Sequence, residues 1–400
     1  MKNLWTTLPP LLSDNNGLIE VVKNSDGCGI IDDSGEFRLG GGHGGHGGRM
    51  GGGRHGGGFG GGYGGRGGHG GRGGGKGGAE RIVVSGASSQ DVTTGTREVM
   101  LDAVENAVSR YNPSFVLLTA GPCGAMIGTD LKEIAETVTA EYSIPAAAVD
   151  LTGQKTYDVG VSKTIEAMAK LLAQPGQVRP GTVNILGSTT LDWAAEDLSG
   201  MKTWVETQGW QVLSQPGAAV TAHQLAQMGR AQLNLVTTVS GLAAARYLQN
   251  TFGTPFVACT PFGVNGCSQL EQLMTGEIAG TVPDGESDTL IIGEQFTANA
   301  LRAAMESKGM TGSADVATFF QLDKAYARKG DRKIKGEADA RQLINSGKYR
   351  LIVADPILCP LLNTACEWIN LPHRALNPYS DVKTPALFGA SLDHLLDSHR

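Results

Sequence analysis

The sequence predicts an α/β protein of three doubly wound, Rossmann-like parallel-sheet domains, and three observations carry that prediction. From Arg81 onward, short β-rich runs alternate with longer apolar-periodic ones, the order that repeated βαβ units require. Runs such as Phe115-Val-Leu-Leu118 are apolar at every position, which suits central parallel strands covered on both faces. The 400 residues exceed what one core organises, and breaks near Pro175–Pro180 and Pro283–Ser287 divide the chain. The predicted domains are 1–178, 179–285 and 286–390, with 391–400 as a solvent-exposed tail carrying His394 and His399.

In chain order, Gly17–Lys23 reads as a short helix or strand, followed by the apolar pair Ile30-Ile31 and the turn Asp32-Asp-Ser-Gly35. Gly40–Gly78 holds most of the excess among 59 glycines and offers almost nothing to bury, so a disordered surface insertion in the first domain is expected. Strand and helix then alternate: Ser114–Thr119 with Ala125–Glu141, Ala146–Asp150 with Val161–Ala173, and Thr182–Gly187 with Asp197–Gln208. Further strands are read at Leu233–Val236, Pro255–Cys259, Thr289–Gly293, Val316–Phe320 and Arg350–Asp355. In such sheets ligands bind beyond the carboxyl ends of the strands, so the motifs there carry the functional weight.

The net charge of -6 gives no basic field for nucleic acid. No apolar run approaches the roughly 18–20 residues that span a bilayer. Met1–Leu12 lacks the basic head and apolar stretch of a secretion signal, so the six cysteines read as reduced thiols and the cytoplasm as the expected compartment. No Gly-x-x-x-x-Gly-Lys-Ser/Thr occurs, and no Gly-x-Gly-x-x-Gly joins a strand to a helix, so neither an ATP nor an NAD site is expected.

Thr119-Ala-Gly-Pro-Cys-Gly-Ala-Met-Ile-Gly-Thr-Asp130 puts Cys123 in a tight turn between a strand and a helix. Backbone N–H groups at a helix start favour anions, which suits a thiolate acting as cluster ligand or nucleophile; a small buried Cys beside Gly is the plain alternative. Cys259, Cys267, Cys359 and Cys366 lack zinc spacing and read as packing residues, the last two sharing a face of an apolar helix. His223 and His373 are isolated and read as structural.

Cys123-Gly-Ala-Met-Ile-Gly-Thr-Asp130 resembles the Cys-x-x-x-Ile-Gly-Asp-Asp motif of nitrogenase component 1 and its relatives. Other landmarks follow in the family's order: Val84-Ser-Gly-Ala87, Asp91-Val-Thr-Thr-Gly95, Asp150-Leu-Thr-Gly153, Val183-Asn-Ile-Leu-Gly187 and Ala231-Gln-Leu-Asn-Leu-Val236. Phe252-Gly-Thr-Pro-Phe256, Thr260-Pro-Phe-Gly263, Ile291-Ile-Gly293 and Leu371-Pro-His373 complete them. The resemblance implies a reductase subunit, homodimeric or paired with a related chain. Cys123 would then ligate a [4Fe–4S] cluster at the subunit interface, and a separate ATP-dependent iron protein would donate low-potential electrons to an unidentified substrate.

Departures from the family narrow that expectation. Where the family's large cofactor takes a Cys and a His, the registers here hold Thr238 and Asn377, so an iron–molybdenum-type cofactor is not expected. Short relatives carry a Cys in the early Asp-x-Ser-Gly turn where this chain has Glu36; Glu36 and the nearby Cys28 are the candidate replacements. Cys28 and Cys123 from two copies would give four thiolates, the usual number for such a cluster. Asp130 either fixes the helix start or faces the cluster.

The glycine tract carries His43, His46, His55 and His69 with five cations, Phe59 and Tyr63. Imidazoles on a flexible backbone suit Ni, Co, Zn or Cu, while Arg-Gly-Gly repeats with aromatics suit RNA. A rival to the reductase is therefore a non-catalytic metal or metallocluster binding and assembly scaffold that uses these histidines.

Overall fold

The computed structural model describes residues 8, 11–34, 81–276, 287–378 and 383–399. Glu36 and the histidines at 43, 46, 55 and 69, with the whole Gly40–Gly78 tract, lie outside the described residues. Three parallel sheets organise the rest. The first contains β1 (Cys28–Asp32), β2 (Ile82–Val84), β3 (Val116–Ala120) and β4 (Ala146–Val149) in the order β2-β1-β3-β4. The second repeats that order with β5 (Arg179–Leu186), β6 (Gln211–Ser214), β7 (Ala231–Val236) and β8 (Phe256–Ala258), running β6-β5-β7-β8. The third comprises β9 (Thr289–Ile292), β10 (Ala314–Thr318), β11 (Arg332–Lys333), β12 (Leu351–Ala354) and β13 (Glu367–Asn370) in the order β11-β10-β9-β12-β13. In each sheet the strand order reverses beside the first strand, which creates a crevice at the carboxyl ends.

The central strands β1, β3, β9 and β12 are buried throughout, as their uninterrupted apolar runs require. Helix Asp14–Val22 lies across helix Tyr157–Leu172, and glycines sit at the crossing. A Cβ on Gly17 would fall 2.1 Å from the Tyr157 carbonyl oxygen, and one on Gly160 1.8 Å from that of Asp14. The backbones therefore touch, which fixes where Tyr157 and Asp158 begin their helix.

Several elements differ from the sequence reading. The helix expected over 125–141 is two, Pro122–Ile127 and Leu131–Tyr142, because Gly128 turns left-handed at φ 77° and Asp130 caps the second. Cys359 and Cys366 share no helix face: Pro360 sits within a short 3-10 turn, Pro356–Leu361, and Cys366 leads directly into β13. The expected tail is instead the helix Ala390–Asp397, packed through the fully buried Leu392 and Leu396; His394 and His399 remain exposed. Each such leucine contributes roughly 1.5–3 kcal/mol by leaving water. Strands β2, β6, β11 and β13 are short, and the periodic pattern did not reveal them.

Candidate functional site

Two places at the carboxyl ends of the strands concentrate chemistry. At the first sheet, β1 ends in Asp32 and the adjacent Asp33, and the Cys123 turn rests on both. A Cβ on Gly121 would lie 1.9 Å from Asp33 Oδ2, and one on Gly124 2.3 Å from the Asp32 carbonyl oxygen, so only glycine allows that seat. Thr96 and Thr129 donate to Asp32 Oδ2 at 2.7 and 2.8 Å, and Ser85 to Oδ1 at 3.2 Å. Burial pushes the Asp33 carboxyl up, opposed by backbone N–H bonds from Ser34 and Cys123. Cys123 itself is a free, half-exposed thiol, with Met126 beside it 85% exposed. Asp130 accepts from the N–H groups of Lys132 and Glu133 at 3.1 and 3.0 Å; it fixes the helix start.

The structure does not bring Cys28 to Cys123. Cys28 opens β1 opposite Val116, at the far end from the Cys123 turn, roughly 13 Å away at the strand rise. Its thiol is fully buried among Met100, Val104 and Val116, and burial pushes it up to about 12. It is a core residue because β1 is covered on both faces. Among the described residues no group of three or more His, Cys, Asp and Glu can hold a metal ion. The first sheet thus offers one accessible thiol per chain, which can serve a cluster only if ligands come from elsewhere.

The other cysteines divide. Cys259 and Cys267 point their sulfurs at carbonyls of the turn between them, Gly266 and Pro261, at 3.8 and 3.3 Å. Burial pushes them up to about 12 and about 11. Cys366 contacts the Arg350 carbonyl at 3.2 Å, whereas Cys359 is exposed rather than packed. His223 is exposed.

The second place is the junction of the three sheets. Tyr157 donates to Asp192 Oδ1, and His373 Nε2 lies 3.5 Å from Tyr157 Oη and 3.9 Å from Asp192 Oδ1. His373 Nδ1 accepts from the Ala375 N–H at 3.2 Å, so the neutral ring carries its proton on Nε2, toward that pair. Asp158 Oδ2 accepts from the Gln321 N–H at 2.7 Å; Glu294 accepts from the N–H groups of Val239 and Thr297 at 2.9 and 2.8 Å. All five side chains are buried. Burial, then mutual repulsion with Glu294 and Asp158, holds the Asp192 carboxyl well above its ordinary range. Burial raises Asp158 and Glu294 too, and depresses His373 to about 4. A cleft of about 480 Å³ lies beside the junction, lined in part by Thr190, Trp193, Arg374 and Asn377. Thr238 is buried with its Oγ1 unpartnered, and Asn377 donates to Asp355.

Sequence reasoning missed Tyr157, Asp158, Asp192 and Glu294 and set His373 aside as isolated. No spacing links them, although each follows a strand of a parallel sheet, and that rule was the available signal. A pH dependence follows. A neutral buried His373 contributes stability present above its ordinary 6.5 and lost as pH falls toward about 4, of the order of 3 kcal/mol in all. Urea unfolding between those pH values should show a steeper loss in the wild type than in His373→Asn; parallel curves would contradict it.

Three doubly wound sheets, with polar groups gathered where strands end, define an α/β architecture whose ligand sites lie at the carboxyl ends of the strands. The chain belongs to the nitrogenase component 1 type oxidoreductase family, whose model matches residues 74–325. It is similar to a light-independent protochlorophyllide reductase subunit from Rhodopseudomonas palustris (strain TIE-1), 26% identical over 212 residues, covering 49% of this chain and 39% of that protein. The corresponding protein of Nostoc punctiforme is 28% identical over 183 residues, covering 42% and 36%. The chain thus aligns with well under half the length of these relatives. A structure of nitrogenase Cp1 at pH 6.5 superposes with a TM-score of 0.70 at 13% identity, covering 100% of this chain and 93% of that one, a likeness of fold. Among the described residues no helix is long and apolar enough to cross a membrane.

Proposed function

We propose that this chain is a nitrogenase component 1-like oxidoreductase subunit that passes low-potential electrons through an interface iron–sulfur cluster to a substrate not yet identified. The observation that carries this reading is Cys123: a free thiol, half-exposed at the carboxyl end of the first sheet and held outward by its seat on Asp32 and Asp33. A [4Fe–4S] cluster needs about four ligands, so one thiol per chain calls for a second copy or a related subunit, with Glu36 as a further oxygen donor. Bound there, such a cluster supplies one-electron transfer at low potential. The family likeness implies a separate ATP-dependent iron protein as the electron donor. The cleft beside Trp193 and Arg374 is the place for substrate. Thr238 and Asn377 offer neither thiolate nor imidazole, which argues against an iron–molybdenum-type cofactor. The rival scaffold reading rests on histidines outside the described residues.

Protein purified without oxygen should be brown, contain about four iron and four sulfide per dimer, and give a reducible EPR signal. Cys123→Ala should lose the signal and most of the iron while keeping the wild-type fold. Colourless, iron-free wild type after reconstitution, or an unchanged spectrum in the variant, would overturn the proposal.

A further inference from the structure

We propose that Tyr157, Asp192 and His373, with Asp158 and Glu294 around them, form a proton-holding latch: a proton kept at Asp192 fastens the three sheets together, and its loss loosens their junction. The inference stands apart from the electron-transfer reading, since it concerns only groups of this chain and requires no cluster.

The geometry points to a latch because each corner comes from a different sheet. Tyr157 begins the helix that follows β4, Asp192 lies in the loop after β5, and His373 in the loop after β13. Tyr157 meets both others, and His373 closes the triangle at 3.9 Å from Asp192. Further bonds between sheets also end on acids: the Gln321 N–H on Asp158 at 2.7 Å and the Val239 N–H on Glu294 at 2.9 Å. Ionisation here therefore acts on the contacts that hold the sheets in register.

Charge balance decides the state. Asp192 faces Tyr157 and Asp158 from helix Tyr157–Leu172, Glu294 from the head of helix Gln295–Ser307, and His373, whose own N–H is held by Asp355 at 2.7 Å. Thr189 donates to it from its own loop at 2.9 Å, and the next residue, Thr190, donates to Glu20 of helix Asp14–Val22. Lys333 acts on Asp158, yet among the described residues no Lys or Arg pairs with Asp158, Asp192 or Glu294. Acids crowded into a dry volume without a cation keep a proton between them. Around them, Asp158 Oδ1, Thr238 Oγ1 and Ser240 Oγ are buried and lack partners. That unused hydrogen-bonding capacity lets water or a rearranged network enter once the proton leaves.

The full chain tests this directly. Infrared spectra at a pH above the ordinary carboxylate range should show the C=O band of a protonated carboxyl, shifted in D2O and lost in Asp192→Asn. Hydrogen exchange at the Gln321 and Val239 amides, corrected for intrinsic rates, should accelerate by up to about tenfold per pH unit above the ordinary carboxylate range, and level off once the closed state has lost the proton. Asp192→Asn, permanently neutral, should abolish that acceleration. Tyr157→Phe removes the hydrogen bond that favours the anion, so the levelling-off should move to higher pH. Absence of the band, its survival in Asp192→Asn, acceleration unchanged in that variant, or an unmoved levelling-off in Tyr157→Phe would each overturn the latch.

Discussion

Asp331→Ala should destabilise the protein by about 3–5 kcal/mol, read as a lower urea midpoint with an unchanged slope. The Asp331 side chain is fully buried against Arg302, itself 2% exposed, at 2.7 Å. Arg302 also donates to the Ala314 carbonyl at 3.2 Å and Asn299 Oδ1 at 2.6 Å, while Asp331 accepts the N–H groups of Val316 and Arg328 at 2.8 and 2.7 Å. Asp331 thereby ties the short edge strand β11 to β10. Removing it strands a guanidinium whose charge burial already disfavours, together with two backbone donors. The double variant Arg302→Met/Asp331→Ala should recover part of the loss, because no charge is then left unpaired. A loss below about 1 kcal/mol in the single variant would place the pair among weak surface bridges.

Gly160→Ala should cost about 3 kcal/mol or more, although in an ordinary helix interior the same change gains about 1 kcal/mol. The added Cβ would lie 1.8 Å from the Asp14 carbonyl oxygen, an atom of the facing backbone that no rotamer change can move aside. Helix Asp14–Val22 must then shift from helix Tyr157–Leu172, and Tyr157, one turn before Gly160, should lose its contacts with Asp192 and His373. The check is the urea midpoint together with near-ultraviolet circular dichroism; a variant as stable as wild type would mean that the helices do not touch there.

The site was only partly legible in the sequence. Cys123 announced itself through a local motif, so the reading reached its position between strand and helix, whereas its seat on Asp32 and Asp33 is made by residues about 90 positions away. Cys28 failed the same test for a reason that local sequence does not hold: the end of β1 at which it sits follows from pairing with Val116, 88 positions away. Cys366 was misassigned because an apolar run flanked by prolines reads alike as helix or as turn plus strand.

The α/β class, the parallel strands and the family were all present in the order of residues, because strand period, apolar runs and ordered motifs are properties of chain neighbours. The junction exists only in three dimensions. Tyr157, Asp192, Glu294 and His373 are ordinary residues where they stand in the chain, and they become a coupled set of titrating groups only when three sheets close around them and exclude water. Desolvation and proximity are what give them chemistry, and both are created by folding.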